Sequence, residues 1–227
     1  MKQGQVKEHF ARQADEYEKL MVRLIPQYLE QHQIIYSLLP NNDKNHRVLD
    51  LGCGNGILSE LVYQKLPDSH ITGFDLTESM LKAFKKELSK YSGKFELKQG
   101  DFRTDSIGNK YDIIIAGLTL HHLTWEEREK FYKTLYSSLN EGGLFIARDI
   151  IIDENKDVVN DQYGHWKEFM KSQGEDPGFW YSKHIAKDYP ITLTDHFAWL
   201  RKAGFSKVAC QWRLYNFAIT TAEKKKI

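Results

Sequence analysis

The chain reads as an α/β protein with a doubly wound, mostly parallel sheet of seven strands and an antiparallel hairpin at its C-terminal edge. Three observations predict this. Short apolar runs alternate with longer runs whose apolar residues recur every three to four positions, the order of β–α–β units. The run 111–116 (Tyr-Asp-Ile-Ile-Ile-Ala) is almost wholly apolar, as a strand buried on both faces must be. The last two strand-like runs, 207–213 and 216–221, have only Leu214 and Tyr215 between them, and strands so close pair only antiparallel.

Size and charge narrow the classes. With 227 residues the chain can bury one sizeable core, and 41% hydrophobic against 28% charged residues is the profile of a soluble globular domain. Lys+Arg is 32 against Asp+Glu 31, so there is no chain-wide basic footprint and nucleic acid is not an expected partner. The lysine run 224–226 reads as a frayed, solvated tail. No apolar run approaches membrane-spanning length, and no apolar signal region follows Met1. Cys53 and Cys210 form no ligand pair in sequence, so the expectation is a reduced, cytoplasmic protein without a metal site.

Taken in order, residues 6–17 carry a helical stripe of Val6, Phe10, Ala14 and Tyr17, and residues 22–39 a second, with Pro26 expected in its first turn. The segment 1–44 is therefore read as a helical lid. Residues 47–51 form the first strand. A helix with Ile57, Leu58, Leu61 and Val62 inward follows, and then a second strand ends at Asp75. Thr77 can cap the next helix, which buries Leu81, Phe84 and Leu88. Residues 94–99 are the third strand and 111–116 the fourth. Thr124 and Glu127 have capping-box spacing ahead of Phe131, Tyr132 and Leu135. Residues 144–152 are the fifth strand, interrupted by Arg148-Asp149. Residues 153–192 are too long for a plain connection; a helix is expected around Tyr163 and Trp166 and an aromatic loop at 176–181. A helix over 193–203, with Thr192 and Asp195 spaced as a capping box, and the hairpin complete one domain spanning 1–227. Within it, 45–152 is the ligand-binding core and 153–192 a substrate-side insertion.

The core is organised around Asp50-Leu51-Gly52-Cys53-Gly54-Asn55-Gly56, where an apolar strand runs into a glycine-rich turn and a helix. Such a turn lets backbone approach a nucleotide-like ligand. A phosphate-binding P-loop needs Lys-Ser/Thr after its last glycine, and here Ile57-Leu58 follows. A dinucleotide turn needs a third glycine where Ile57 stands. Asp50 would oppose a pyrophosphate and suits a cationic ligand.

These residues resemble motif I of the class I S-adenosylmethionine-dependent methyltransferases, and the resemblance continues at later strand ends. Gly73-Phe74-Asp75-Leu76-Thr77 is similar to the segment whose acidic residue holds the ribose. Gly100-Asp101-Phe102 is similar to the adenine-binding segment, and Tyr111-Asp112 with 118–123 to the motif beside the transferable methyl. The resemblance implies a Rossmann-like methyltransferase fold, S-adenosyl-L-methionine as cofactor, and a cofactor site of Asp50, Gly52, Gly54, Asn55, Asp75, Leu76, Met80, Asp101, Phe102 and Leu118. It also implies a homodimer. Within the superfamily the chain looks closest to small proteins related to the carboxy-S-adenosylmethionine synthases of tRNA wobble-uridine modification. There an arginine of the late helix reads the extra carboxylate; here Trp199 takes its place and Arg201 is two positions away.

The candidate catalytic residues are His121, His122, Asp149 and Tyr17. Imidazole suits a general base near neutral pH. Asp149 lies at the end of the fifth strand, and Tyr17 would reach in from the lid. His165, Trp166, Trp180, Tyr181 and His184 could wall an acceptor pocket, and an aromatic wall suits an amine, a thiol or a planar phenol. The expected activity is methyl transfer to a small-molecule acceptor. Carboxy-cofactor synthesis and a non-catalytic S-adenosylmethionine-binding module are the alternatives, and a nicotinamide oxidoreductase is disfavoured by Ile57.

Overall fold

The computed structural model of the chain describes residues 16–42, 44–91 and 94–226. The helix expected over 6–17 lies outside them except for its end. In chain order the elements are α1 (Glu16–Leu24), α2 (Tyr28–Leu38), β1 (Arg47–Leu51), α3 (Ile57–Lys65), β2 (His70–Asp75), α4 (Glu78–Glu87), β3 (Phe95–Gln99) and β4 (Tyr111–Gly117). They continue as α5 (Trp125–Ser138), β5 (Leu139–Ile152), α6 (Lys156–Ser172), α7 (Pro177–Lys187), β6 (Ile191–Thr192), α8 (Leu193–Ala203), β7 (Ser206–Leu214) and β8 (Phe217–Glu223).

The sheet order is β3-β2-β1-β4-β5-β8-β7, with the two-residue β6 pairing with β5 off this path. Strands β1 to β5 are parallel, and β8 joins both β5 and β7 antiparallel. The order reverses between β1 and β4. The crevice outside the carboxyl ends of these two strands is where an open α/β sheet binds ligands.

Side-chain alternation divides the core. Val48, Ile113, Ile115, Ile146 and Ile219 face α2, α3 and α4. Leu49, Leu51, Ile114, Ala116, Phe145 and Ala147 face α5 and α8. A third cluster lies over the end of β5, where Leu24, Ile25 and Tyr28 meet Ile150, Tyr163, Trp166, Met170 and Phe217. It joins the N-terminal helices to the insertion. Trp166 Nε1 donates to the Leu24 carbonyl at 2.7 Å, and Arg23 pairs with Glu175 at 2.6 Å.

The helix expected over 22–39 is two helices. Proline disfavours helical backbone at Ile25 before it, and Gln27 after it takes φ 53°, so the chain turns there. The expected aromatic loop at 176–181 begins α7: Asp176 accepts from the amides of Gly178 and Phe179, and Pro177 stands in the first turn. Asp-Pro is itself a helix-start signal. Thr124 and Glu127 form the expected capping box. Thr77 makes no side-chain cap; its hydroxyl donates instead to Asp75 Oδ1 at 3.1 Å. The terminal lysines are not simply a solvated tail, because Lys224 Nζ donates to the carbonyls of Tyr136 in the last turn of α5 and of Leu139 just after it, at 3.0 and 2.8 Å.

Candidate active site

The glycine turn leaves β1 at the sheet's reversal point. Gly52, Gly54 and Gly56 have φ of 65°, 53° and 89°, a region that L side chains adopt at a cost. Two of them differ instructively. A Cβ on Gly52 would stand 2.2 Å from Thr119 Oγ1, so this glycine lets the loop after β4 close over the turn. A Cβ on Gly54 would meet nothing within 4 Å among the described residues, so this glycine borders open space between them.

That space is bounded by the end of β2. Asp75 Oδ2 accepts from the Gly54 amide at 3.0 Å, and Oδ1 accepts from the Thr77 amide at 2.9 Å and its hydroxyl. The carboxylate is thus held rigidly while Oδ2 keeps a lone pair for a ligand hydroxyl. Leu76 beside it is an apolar side chain that is 58% exposed among the described residues. Met80, one helical turn on in α4, is half-buried. Asn55 is buried in the turn.

Asp50 lies beneath the turn rather than in the open. It is buried, its Oδ2 accepts from Ser59 Oγ at 2.6 Å, and burial pushes its pKa up to about 7 against the opposing effects of the Ser59 hydrogen bonds and Arg148. Asp101 is half-buried at the end of β3, and the Arg103 guanidinium clasps both its oxygens, which holds its pKa below the ordinary carboxylate value. Phe102 packs on Phe131, ring centroids 5.1 Å apart.

At the end of β4, Leu118 takes φ 56°, a strained value for a leucine, and its amide donates to the Arg148 carbonyl at 2.7 Å. The strand period sends Arg148 and Asp149 to opposite faces of the sheet. Arg148 turns toward α2, with its guanidinium carbon 4.7 Å from the centroid of the Tyr28 ring. It is buried, and its Nε and Nη1 have no hydrogen-bond partner among the described residues.

Asp149 turns toward α5. It is buried, with Oδ1 2.6 Å from His121 Nδ1 and Oδ2 paired with Arg128 Nη2. Arg128 is fully buried and also donates from Nε to the Leu120 carbonyl at 3.0 Å. Burial pushes Asp149 up, but the charges of Arg128 and His121 prevail and bring it down to about 2. With both oxygens engaged, Asp149 holds His121 and offers nothing to the open side. A carboxylate on Nδ1 makes that nitrogen the donor and leaves Nε2 as the basic atom. His121 is buried and His122 exposed.

Asp188, at the end of α7, meets this loop. Its Oδ1 lies 3.1 Å from His122 Nδ1, and its Oδ2 lies 2.7 Å from His184 Nδ1. Burial raises its pKa, yet the hydrogen bonds with His122 and His184 and the charge of His121 hold it well below the usual range. The aromatic residues expected to wall an acceptor pocket mostly pack on one another. Trp166 and His184 are buried, and exposed His165 stacks on Tyr215 at 5.0 Å. Tyr17, in the first turns of α1, is 39% exposed. Trp199 lines a cleft of about 480 Å³ with Trp125, Asp153, Glu154, Lys156 and Asp195, and Arg201 lies exposed over Phe197.

Sequence reasoning missed Arg103, Arg128, Asp188 and the hydroxyl of Ser59. Arg128 did leave a signal, since it falls on the same stripe of α5 as Phe131, Tyr132 and Leu135, at i+3, i+4 and i+7. His184 and Asp188 are likewise spaced i, i+4.

The residues fit the expected cofactor. The open space over Gly54, the rigid Asp75 and the exposed Leu76 suit a ribose and a ring, and Asp50 beneath suits a cation. The Methyltransferase domain family matches residues 48–143, the stretch from β1 through the first residues of β5. The matched domain and the fold support an S-adenosylmethionine-dependent methyltransferase with S-adenosyl-L-methionine as its cofactor. It is similar to carboxy-S-adenosyl-L-methionine synthases of Campylobacter hominis, at 25% identity over 93% of this chain and 92% of that one, and of Nautilia profundicola, at 27% over 93% and 92%. Its fold matches an O-methyltransferase family 2 protein from Planctomyces limnophilus in complex with apigenin, with TM-score 0.65, 19% identity and coverage of 94% of this chain. It also matches human N-acetylserotonin methyltransferase in complex with SAM, with TM-score 0.61, 18% identity and coverage of 97%. The chain spans 63% and 59% of those two structures. No helix among the described residues is long and apolar enough to cross a membrane.

Proposed function

We propose that the protein transfers the methyl group of S-adenosyl-L-methionine to a small-molecule acceptor seated at the ends of β4 and β5, beneath the α6–α7 insertion. The observation that carries this is the Asp149–His121 pair, a buried carboxylate holding a buried imidazole that lies three residues beyond Leu118. The cofactor supplies a methyl already activated by its sulfonium, so the protein's task is position, exclusion of water and, where the acceptor carries a proton, its removal. Asp75, Leu76, Met80, Asp101 and Phe102 hold the adenosine portion, and the turn at Gly52, Gly54 and Asn55 lies under the methionine portion, with Asp50 below. His121 Nε2 accepts the proton. Asp149 is a positioning residue that fixes the tautomer, His122 stands at the solvent edge, and Tyr17 closes the site from the N-terminal side. The reading is of a cytoplasmic enzyme that forms a homodimer.

Isothermal titration should show micromolar binding of S-adenosyl-L-methionine and S-adenosylhomocysteine. Asp75→Ala should weaken both by about 100-fold, as loss of hydrogen bonds to a charged acceptor worth ~1.5–3 kcal/mol each requires. Intact protein that binds neither overturns the reading. Once an acceptor is found, His121→Gln should lower kcat by about 100-fold or more with cofactor Kd unchanged. Asp149→Asn should displace the pH profile of kcat.

One observation favours a second reading. The curated relatives named carboxy-S-adenosyl-L-methionine synthase are similar over nearly the whole chain. Against it, Trp199 stands where the resemblance expects a carboxylate-reading arginine, in a cleft whose charged lining is Asp153, Glu154 and Asp195 against Lys156 alone. Mass spectrometry of the cofactor carried through purification decides between them: a carboxylated S-adenosylmethionine would replace methyl transfer as the reading.

A further inference from the structure

The loop after β4 and the end of α7 bring together a donor set that no sequence spacing announces. Ligand atoms of His121, His122 and Asp188 all lie within 4.8 Å of one another. His121 Nε2 stands 3.9 Å from Asp188 Oδ1, too far for a hydrogen bond, and His122 Nδ1 stands 3.1 Å from the same oxygen. Two ligands of one tetrahedral ion, each at ~2.0–2.1 Å, sit about 3.3 Å apart, so the set, which lies within 4.8 Å, must draw in around a cation, the His121–Asp188 gap by about 0.6 Å.

Convergence alone is weak, because carboxylates often gather imidazoles. The surroundings add more. A metal-bound histidine characteristically gives its other nitrogen to a carboxylate, which fixes the ring and raises its basicity. His121 has this partner in Asp149 at 2.6 Å, and Asp149 is itself anchored by Arg128. Asp188 has a similar support, since His184 Nδ1 holds its second oxygen at 2.7 Å and Tyr163 meets His184 Nε2 at 2.9 Å. The two segments are tied together by the Tyr189 amide, which donates to the His121 carbonyl at 2.6 Å. His122 is exposed, so the fourth position faces outward, as in a site that exchanges water for a ligand.

We propose that His121 Nε2, His122 Nδ1 and Asp188 Oδ1 bind one late first-row divalent cation, of which Zn²⁺ and Co²⁺ are the probes, with an open position toward solvent. Imidazole and carboxylate donors select such ions over Mg²⁺ or Ca²⁺, which take oxygen donors alone. Binding stands on its own geometry. Its catalytic consequence rests on the methyl-transfer reading: there the cation, in place of a bare imidazole, would lower the pKa of an acceptor hydroxyl or thiol bound at the open position.

Full-length protein, stripped with chelator and returned to metal-free buffer, is titrated with Co²⁺ by visible absorption and with Zn²⁺ by calorimetry. The expected result is one equivalent per chain, with d–d bands of a four- or five-coordinate ion. His122→Ala should weaken binding at least tenfold. Asp149→Asn should weaken it by about 10–100-fold through loss of support to His121. His165→Ala, an exposed histidine elsewhere, should bind as wild type. S-adenosylhomocysteine affinity, measured on every variant, should stay unchanged and reports that each is folded. Absence of saturable binding overturns the proposal, as does a His122→Ala variant that binds like wild type. Failure of the methyl-transfer reading shows separately, as loss of S-adenosylhomocysteine binding by the wild-type protein.

Discussion

The two halves of the site are built differently. On the donor side the contacts are short in sequence and largely made by backbone: the Gly54 amide to Asp75 spans 21 positions, and Asp75 to Thr77 spans 2. On the acceptor side they are long and made by side chains, with His121 to Asp149 spanning 28 positions, His122 to Asp188 spanning 66 and Trp166 to Leu24 spanning 142. A half carried by backbone and strand ends can persist under wide sequence change. A half carried by docked side chains can be rebuilt for another acceptor without disturbing the donor. The methyltransferase domain family accordingly matches residues 48–143, which include the glycine turn and Asp75 but stop short of Asp149 and Asp188.

The contrast can be broken by substitution. The largest effect is expected on the acceptor side at Arg128→Met, which leaves Asp149 buried with one partner fewer. Stability measured by urea unfolding should fall by about 3–5 kcal/mol. Adding Asp149→Asn should recover a large part, because the stranded charge is then gone. A single variant as stable as wild type would mean that the pair does not hold the loop.

On the donor side the two glycines should separate stability from binding. Gly52→Ala meets Thr119 Oγ1 and carries the left-handed strain, so it should cost about 2–4 kcal/mol of folding. Gly54→Ala carries the strain alone, about 1–2 kcal/mol. Its methyl enters open space, so S-adenosylhomocysteine affinity should drop more than tenfold. Gly54→Ala with wild-type affinity would show that the turn is not the floor of the cofactor site.

The smallest effect is a pH dependence. Asp50 has a pKa of about 7 in the protein against 3.8 outside it. Its protonated form therefore favours folding. That contribution is complete below pH 3.8 and is lost as pH rises through about 7. A cationic ligand prefers the ionised form, so the sign reverses for binding. S-adenosyl-L-methionine affinity should rise about tenfold between roughly pH 6 and 8. Asp50→Asn should flatten that rise and stabilise the ligand-free protein at pH 8. A flat wild-type profile would place the cation out of reach of Asp50.

Most of the architecture was legible in the chain itself. Strand and helix periodicity yield the seven main strands and the antiparallel terminal hairpin, because those periods reflect which faces are buried; the order of the strands in the sheet came from the structure. The joints were less so. The break at Pro26-Gln27 and the helix begun by Asp176-Pro177 depend on one residue's backbone preference, which a count of apolar positions does not weigh. Thr77 shows a different failure. It has the right residue type in the right place for a cap, yet the Asp75 carboxylate is the stronger attraction for its hydroxyl.

What the sequence determined by itself was the donor: glycines where φ is positive, an acidic residue ending β2 and an apolar central strand are each legible from residue type within a short stretch, although the Gly54–Asp75 contact itself spans 21 positions. Tertiary structure alone decided the acceptor side. The pleat of β5 sent Arg148 and Asp149 to opposite faces, and the docking of α7 brought Asp188 to His121 and His122. The physical reason is range. Hydrogen bonds between side chains many tens of residues apart exist only once helices have packed, and their partners carry no mutual spacing to be read beforehand.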